Sequence, residues 1–400
     1  MGISLNDDFS GSGIWVNLYP VGPFGDGKTQ SESVCLSSVP QLMGVGPSDD
    51  ELVVINSAHK RPFAEHEPPI IRGELAEPFV PRTEADLQFV DEGTEHFCCV
   101  HMFGSVRRAL DVWETYFGYK LTGRRQKKIQ LIPFVDWNNA QAGDRFIETG
   151  FQVSDEGITQ PFCLSFDILA HECAHIILFE QIGTPTARTV TSTYKAFHEA
   201  AADWMSLLSV LHFDGFLERV LDATQGNLYQ PNQWSQFGQI SPTSYIRLAS
   251  NAKRMSQVAS PNVPLADLGP RELHEMAEPL IGALYDIYVG IYQAVLQDMD
   301  VPIPTPVGRS KAVSDEAARM PCLETQNIYR LHRDEFIEAM KTSRDLLGFM
   351  LAESCLQLPA HFMDFQSITD ALFVSDELIT GGRYQEVIME ALTWREILYH

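Results

Sequence analysis

Four hundred residues carry 53 acidic and 29 basic side chains, a formal charge of −24. Such a chain repels phosphates, which excludes nucleic acid as an expected partner. An apolar content of 44% is ordinary for a globular protein and supplies a core for two or three domains, or for one large two-lobed unit. The seven cysteines, Cys98-Cys99 adjacent among them, show neither a disulfide framework nor Cys-rich zinc spacing.

The first residues, MGISLNDDFSGSGIWVNLYP, have no basic region before an apolar core, and the first lysine is Lys28. No signal peptide is read there, and a cytoplasmic location is expected. Met1-Gly2 begins like a myristoylation signal, but residue 6 is Asn6, so no lipid anchor is expected. Residues 1–82, rich in Gly, Pro and Ser, read as an N-terminal extension or extra strands, with LVVIN (52–56) strand-like. Within them, 61–82 is punctuated by proline and reads as a linker or extended arm, with His59 and His66 as loop residues.

Residues 83–160 read as a mixed α/β N-terminal lobe with an edge strand. Helical spacing covers 97–118, strand character covers 129–137, and FIETGF (146–151) is a second strand to pair with it. The basic run at 124–128 reads as a solvated turn. Residues 161–400 read as a helical lobe. Its helices are expected at 165–180, 194–212, 272–297, about 310–318, 333–356, 366–376 and 384–398, the last after the Gly381-Gly382 stop. The longest apolar run, 279–296, contains Asp286 and reads as too short and polar for a membrane span. No internal repeat or low-complexity tract is visible. The expected fold class is α+β.

The first helix of that lobe, SFDILAHECAHIILFE (165–180), carries the chemistry. In His171-Glu172-Cys173-Ala174-His175, two imidazoles four residues apart share one helical face and suit one metal ion. Glu172 stands where it can take a proton from water at that metal. The alternative is a pair of solvated or core-satisfied histidines. The apolar residues around the helix, Ile168, Leu169, Ile176, Ile177, Leu178 and Phe179, favour burial, and buried imidazoles and carboxylates are costly unless paired or metal-bound. Cys173 reads as a small buried apolar residue rather than a nucleophile.

A catalytic zinc needs three protein ligands and an open position. STYKAFHEAAADW (192–204) offers Glu199, with 23 residues between it and His175. Asp203, four residues on, shares its face and can accept a hydrogen bond from a ligand histidine. His198 competes as a ligand but points about 100° away around the helix.

With HExxH and a downstream Glu-x-x-x-Asp, the chain resembles the thermolysin-like and fungalysin-like zinc metallopeptidases, over about residues 95–400. The resemblance implies a two-lobed fold with one catalytic Zn2+ held by His171, His175 and Glu199 in the cleft, and Glu172 as general base. In DWNNAQ (136–141), Asn139-Ala140 matches the edge-strand Asn-Ala that pairs with substrate backbone. In SYIRLAS (244–250), Arg247 matches the arginine that orients the substrate carbonyl and ties down the third ligand. In RELHEMAEPLIGALYDIY (271–288), His274 matches the histidine that stabilises the tetrahedral intermediate. That segment, and LQLPAHFMDFQSITDALFVSDELITGG near the C-terminus, look closer to fungalysin. Phe162, Ile168 and Ile246 would line an apolar pocket for the residue after the cut.

The chain also departs from the pattern. The tyrosine that assists the counterpart of His274 has no clear match, Tyr194 being offset. Val210 replaces an acidic residue of the family's calcium site; Asp167 remains, and calcium is not expected. The signal and long pro-segment usual in these families are not seen. The function expected is zinc-dependent endopeptidase, acting on a peptide or protein substrate and preferring a bulky apolar residue after the cut. The alternatives are a non-catalytic metal-binding protein of the same fold, against which the retained Glu172 argues, and an aminopeptidase, whose Gly-x-Met-Glu-Asn motif is not found.

Overall fold

The computed structural model describes all residues except 1–4, 25–29, 58–59, 64–77, 122–126, 155–156, 242–243, 304–322 and 400. Met1-Gly2, His59, His66, Arg124-Arg125-Gln126, most of the 61–82 arm and the helix expected at 310–318 lie outside the described residues. The chain mixes helix and strand in an α+β arrangement and divides into two compact units. One is built from residues 4–177 and 238–246, the other mainly from 178–237 and 247–400.

In the first unit a short helix α1 (Leu5–Phe9) precedes strands β1 (Ile14–Leu18) and β2 (Glu32–Leu36), which pair antiparallel. Ile14, Val16 and Leu18 turn inward at the two-residue period of a half-buried strand. After a single turn α2 (Ala85–Gln88) comes α3 (Glu95–Phe117). The Thr94 hydroxyl starts α3 by accepting the Phe97 N–H at 3.2 Å, an N-cap that satisfies one otherwise unpaired donor. Because α3 is buried along almost its whole length, its charges are paired. Arg107 bonds Asp111, Glu114 and Glu51.

A four-stranded sheet has the order β3-β4-β6-β5, with β3 (Leu52–Val54), β4 (Ile129–Ile132), β5 (Ala140–Gly143) and β6 (Phe146–Thr149). The pairing expected between 129–137 and 146–151 is the parallel β4–β6 ladder. The strand expected to 137 stops at Ile132, because Pro133 has no N–H to give a ladder. β5 runs antiparallel to β6, Ala140 opposite Thr149, and forms one edge of the sheet. The hairpin β7 (Phe151–Val153) and β8 (Thr159–Pro161) then leads through a 3-10 turn, Phe162–Leu164, into α4 (Phe166–Gln181). β9 (Gln236–Ser241) and β10 (Ser244–Leu248) form a further two-stranded sheet.

The described helices of the second unit are α5 (Ser192–Val210), α6 (Asp214–Thr224), α7 (Pro270–Asp298), α8 (Leu323–Leu331), α9 (Arg333–Gln357), α10 (Phe365–Thr380) and α11 (Gln385–Trp394). α5, α9 and α11 all pack on α7. Trp204 and Trp234 meet Tyr285 and Tyr288 in the core. Pro270 opens α7 at a position where no N–H is needed, and Pro279 lies inside it. At 29 residues α7 is longer than its apolar run suggests, and by length and hydropathy alone it is adequate for a membrane span. Its apolar window is 89% buried within the protein, as in the core helix of a globular fold. The acidic residue inside it, Asp286, is fully buried and bonded by Arg395 at 2.9 Å and by the Tyr229 hydroxyl at 2.9 Å. That pairing explains why α11, expected to run to 398, ends at Trp394: Arg395 turns inward, also bonding Asn251 and the Lys253 carbonyl.

Candidate metal centre

α4 is positioned at its start by Asp167. This buried carboxylate accepts the Ser165 hydroxyl, the Ile168 N–H at 2.9 Å and the Gly238 N–H at 2.9 Å. Gly238 has φ +61°, a backbone conformation that favours glycine, and a Cβ there would lie 2.6 Å from Ile246 Cδ1 on the paired strand β10. Burial pushes the Asp167 carboxyl above the ordinary carboxylate range. Its three donors occupy it as a structural tie.

Apolar residues surround the rest of α4, and Ile168, Leu169, Ile176, Ile177 and Leu178 are buried. Cys173 is also buried, its sulfur 4.0 Å from the Val106 carbonyl, and burial pushes its thiol up to about 12. It is a packing residue, because the thiolate needed of a nucleophile is suppressed.

His171 and Glu172 are buried, and His175 is half-buried. The two imidazoles stand at 88° with Nε2 atoms 3.1 Å apart. Two nitrogens each about 2.05 Å from a tetrahedral zinc would be about 3.3 Å apart, so this pair has the spacing of one edge of such a site.

Glu199 and Asp203 lie one turn apart on α5, which the Thr191 hydroxyl caps by accepting the Tyr194 N–H at 3.0 Å. Arg247 grips Asp203 with both arms of its guanidinium, Nε to Oδ2 at 2.6 Å and Nη2 to Oδ1 at 2.7 Å. Its Nη2 is 3.8 Å from Glu199 Oε2. This bidentate fork fixes Arg247, which is also held over the Phe237 ring at 5.3 Å.

His274, in the first turns of α7, places Nε2 3.1 Å from Glu199 Oε2, and its Nδ1 donates to the Pro270 carbonyl at 2.7 Å. The Glu199 hydrogen bond holds the imidazole pKa above its ordinary value. Asp203, Arg247, Glu199 and His274 thus form one chain of charged contacts.

His198, the competing ligand, is buried against the rings of Tyr194 (4.3 Å) and Phe179 (4.8 Å). Tyr194 donates its hydroxyl to the Gly183 carbonyl at 2.8 Å. Val210 is buried near the end of α5.

His171, His175 and Glu199 each offer one ligand atom, and these atoms all lie within 4.8 Å of one another. Among the described residues no other group of three His, Cys, Asp or Glu side chains meets that condition. Two imidazoles and a carboxylate form a mixed nitrogen and oxygen donor set of the kind that holds catalytic zinc.

Asn139 is exposed, and its carbonyl accepts the Gly150 N–H at 2.8 Å. Ala140 opens the edge strand β5. Phe162 and Ile168 share a small apolar cluster with Ala140 and Leu164. Ile246, expected in the same pocket, is instead 49% exposed on β10 and lies over Gly238. The cluster's remaining member, Phe24, is not among the residues the sequence marks. It stands in a proline- and glycine-rich loop, where no periodicity signals burial.

No protein-family model matches the chain, and comparison with curated proteins also finds no match. Among solved structures, one described as the precursor of protealysin, a metalloproteinase from Serratia proteamaculans, is 12% identical with a TM-score of 0.36. The match covers 73% of this chain and 87% of that one. The likeness is too weak to carry fold or function.

Proposed function

We propose that the chain is a zinc-dependent endopeptidase. The observation that carries this reading is the convergence of His171, His175 and Glu199, with Glu172 beside the first histidine on α4. A zinc ion held by these three residues would supply a Lewis acid that eases the ionisation of water and polarises a carbonyl.

In this reading Glu172 takes the proton of the attacking water and delivers it to the leaving amine. Arg247 gives positive charge to the developing oxyanion, a contribution of about 3–4 kcal/mol for a well-placed donor, and His274 joins it when its Nε2 turns from Glu199 to the oxyanion, its Nδ1 staying on the Pro270 carbonyl. Asn139 and Ala140 offer the free side of an edge strand to an extended peptide. Asp203 holds Arg247 in place, and Phe162 and Ile168 contact the apolar residue after the cut.

Metal analysis together with casein hydrolysis, with and without chelator, tests the proposal. One tightly bound zinc per chain is expected, with hydrolysis lost on chelation and in Glu172→Gln while that variant keeps its metal. Zinc binding with no hydrolysis by the wild type favours a non-catalytic metal protein. Cleavage of amino-acid anilides in place of casein favours an aminopeptidase.

A further inference from the structure

Arg247 stands beside the candidate metal centre, its Nη2 3.8 Å from Glu199 Oε2, and its guanidinium is held from two directions. Asp203 grips one edge with both carboxylate oxygens, and the Phe237 ring backs one face at 5.3 Å. Phe237 is buried, and its ring is a firm backing only as far as the backbone that carries it is firm. The next peptide unit is tied. Its N–H, on Gly238, donates to Asp167 Oδ2 at 2.9 Å.

The two oxygens of Asp167 divide their partners. Oδ1 accepts the Ser165 hydroxyl and the Ile168 N–H and so belongs to the start of α4. Oδ2 reaches away from the helix to Gly238 in β9. A left-handed glycine inside a strand bends the ladder locally, and Gly238, at φ +61°, is the residue whose N–H β9 gives to Asp167. The carboxylate is only 2% exposed, and a hydrogen bond to a carboxylate away from water holds its donor strongly. One hydrogen bond and one peptide unit therefore lead from the head of α4 to the ring behind Arg247.

We propose that Asp167 is a positioning residue for Arg247, acting through the Phe237–Gly238 peptide and the Phe237 ring. Its kinetic consequence rests on the peptidase reading. A guanidinium out of place at the developing oxyanion stabilises the transition state less, while substrate binding in the ground state is kept.

Asp167→Asn tests the tie. With its oxygen kept on the Ser165 and Ile168 side, its Nδ2 meets the Gly238 N–H donor against donor. The Arg247 Nε–H, which donates to Asp203 at 2.6 Å, is followed in a 1H–15N spectrum of arginine-labelled protein and assigned by its loss in Arg247→Lys. Asp167→Asn is expected to shift that resonance and to lower kcat on the order of tenfold with KM unchanged. In an Arg247→Ala background the same change is expected to leave kcat where it is, whereas a merely structural role would cost as much in both backgrounds. Phe237→Leu, which removes the ring and leaves Asp167 intact, is expected to give the same shift and the same loss, and it decides the matter if Asp167→Asn fails to fold. An unshifted Arg247 resonance, or an equal loss of kcat with and without Arg247, overturns the positioning role. A shifted resonance with no hydrolysis by wild type overturns the peptidase reading and upholds the positioning role.

Discussion

His101 makes the folded state sensitive to mild acid. Its ring is fully buried on α3, with Nδ1 2.8 Å from the Cys163 carbonyl and Nε2 accepting the Tyr19 N–H at 2.8 Å. Nδ1 therefore carries the proton, and a second proton on Nε2 would face an N–H that needs an acceptor. Burial outweighs the favourable Cys163 hydrogen bond and pushes the pKa down from 6.5 to about 3. Between those values the unfolded chain holds a proton that the folded chain refuses. Stability then rises with pH at up to about 1.4 kcal/mol per unit, and the contribution is fully present only above the unfolded value. At pH 5 the loss is about 2 kcal/mol, growing to roughly 4 kcal/mol near pH 3. His101→Gln keeps one donor and one acceptor but cannot take up the proton. It should cost about 1–2 kcal/mol at pH 7.5 through poorer geometry. Its pH dependence down to pH 5 should then be shallower than wild type by about 2 kcal/mol. Urea unfolding followed by circular dichroism at pH 7.5, 6.5, 5.5 and 5.0 measures the difference, in which all the other histidines cancel. Parallel curves for the two proteins would refute the reasoning.

Arg395→Met removes the counter-charge of the fully buried Asp286 and should cost about 3–5 kcal/mol in urea unfolding, whereas Asp286→Asn with Arg395→Met should recover most of it. At the proposed metal centre, Glu199→Ala should weaken zinc binding by more than about 100-fold in equilibrium dialysis. Asp203→Asn, which keeps the shape but loses the charge that Arg247 grips, should weaken it by about 10–100-fold; equal affinities for both variants and wild type would remove Glu199 from the ligand set.

Much of the candidate site is legible in the sequence because helical periodicity is local. HExxH and Glu-x-x-x-Asp need only the 3.6-residue repeat to place their side chains on common faces, and α4 and α5 begin and end within two residues of expectation. Arg247 and His274 depend on a resemblance, since nothing local ties either to Glu199 or Asp203. Phe24 is silent for a related reason: it is buried against Phe162 and Ile168, which are distant in sequence and brought to it only by the fold. The ends of elements fail where a partner decides them, as Asp286 does for α11, or where a single residue lacks a donor, as Pro133 does for β4. The amphipathic α6, with Phe216, Leu217, Val220 and Leu221 inward, is not among the expected helices, although its period is visible once its bounds are known.

Pro279 divides α7 mechanically. Lacking an N–H, it cannot bond the Glu275 carbonyl, so the ladder is one rung short there. Beyond it the helix is largely core; before it Met276 and Ala277 are buried, His274 is half-buried, and only the first residues of the helix, 270–272, are exposed. Bending costs least at the missing rung. The missing rung is thus a local weakness enclosed by packing: Met276 and Ala277 on one side and the aromatic core around Tyr285 and Tyr288 on the other hold the helix on course.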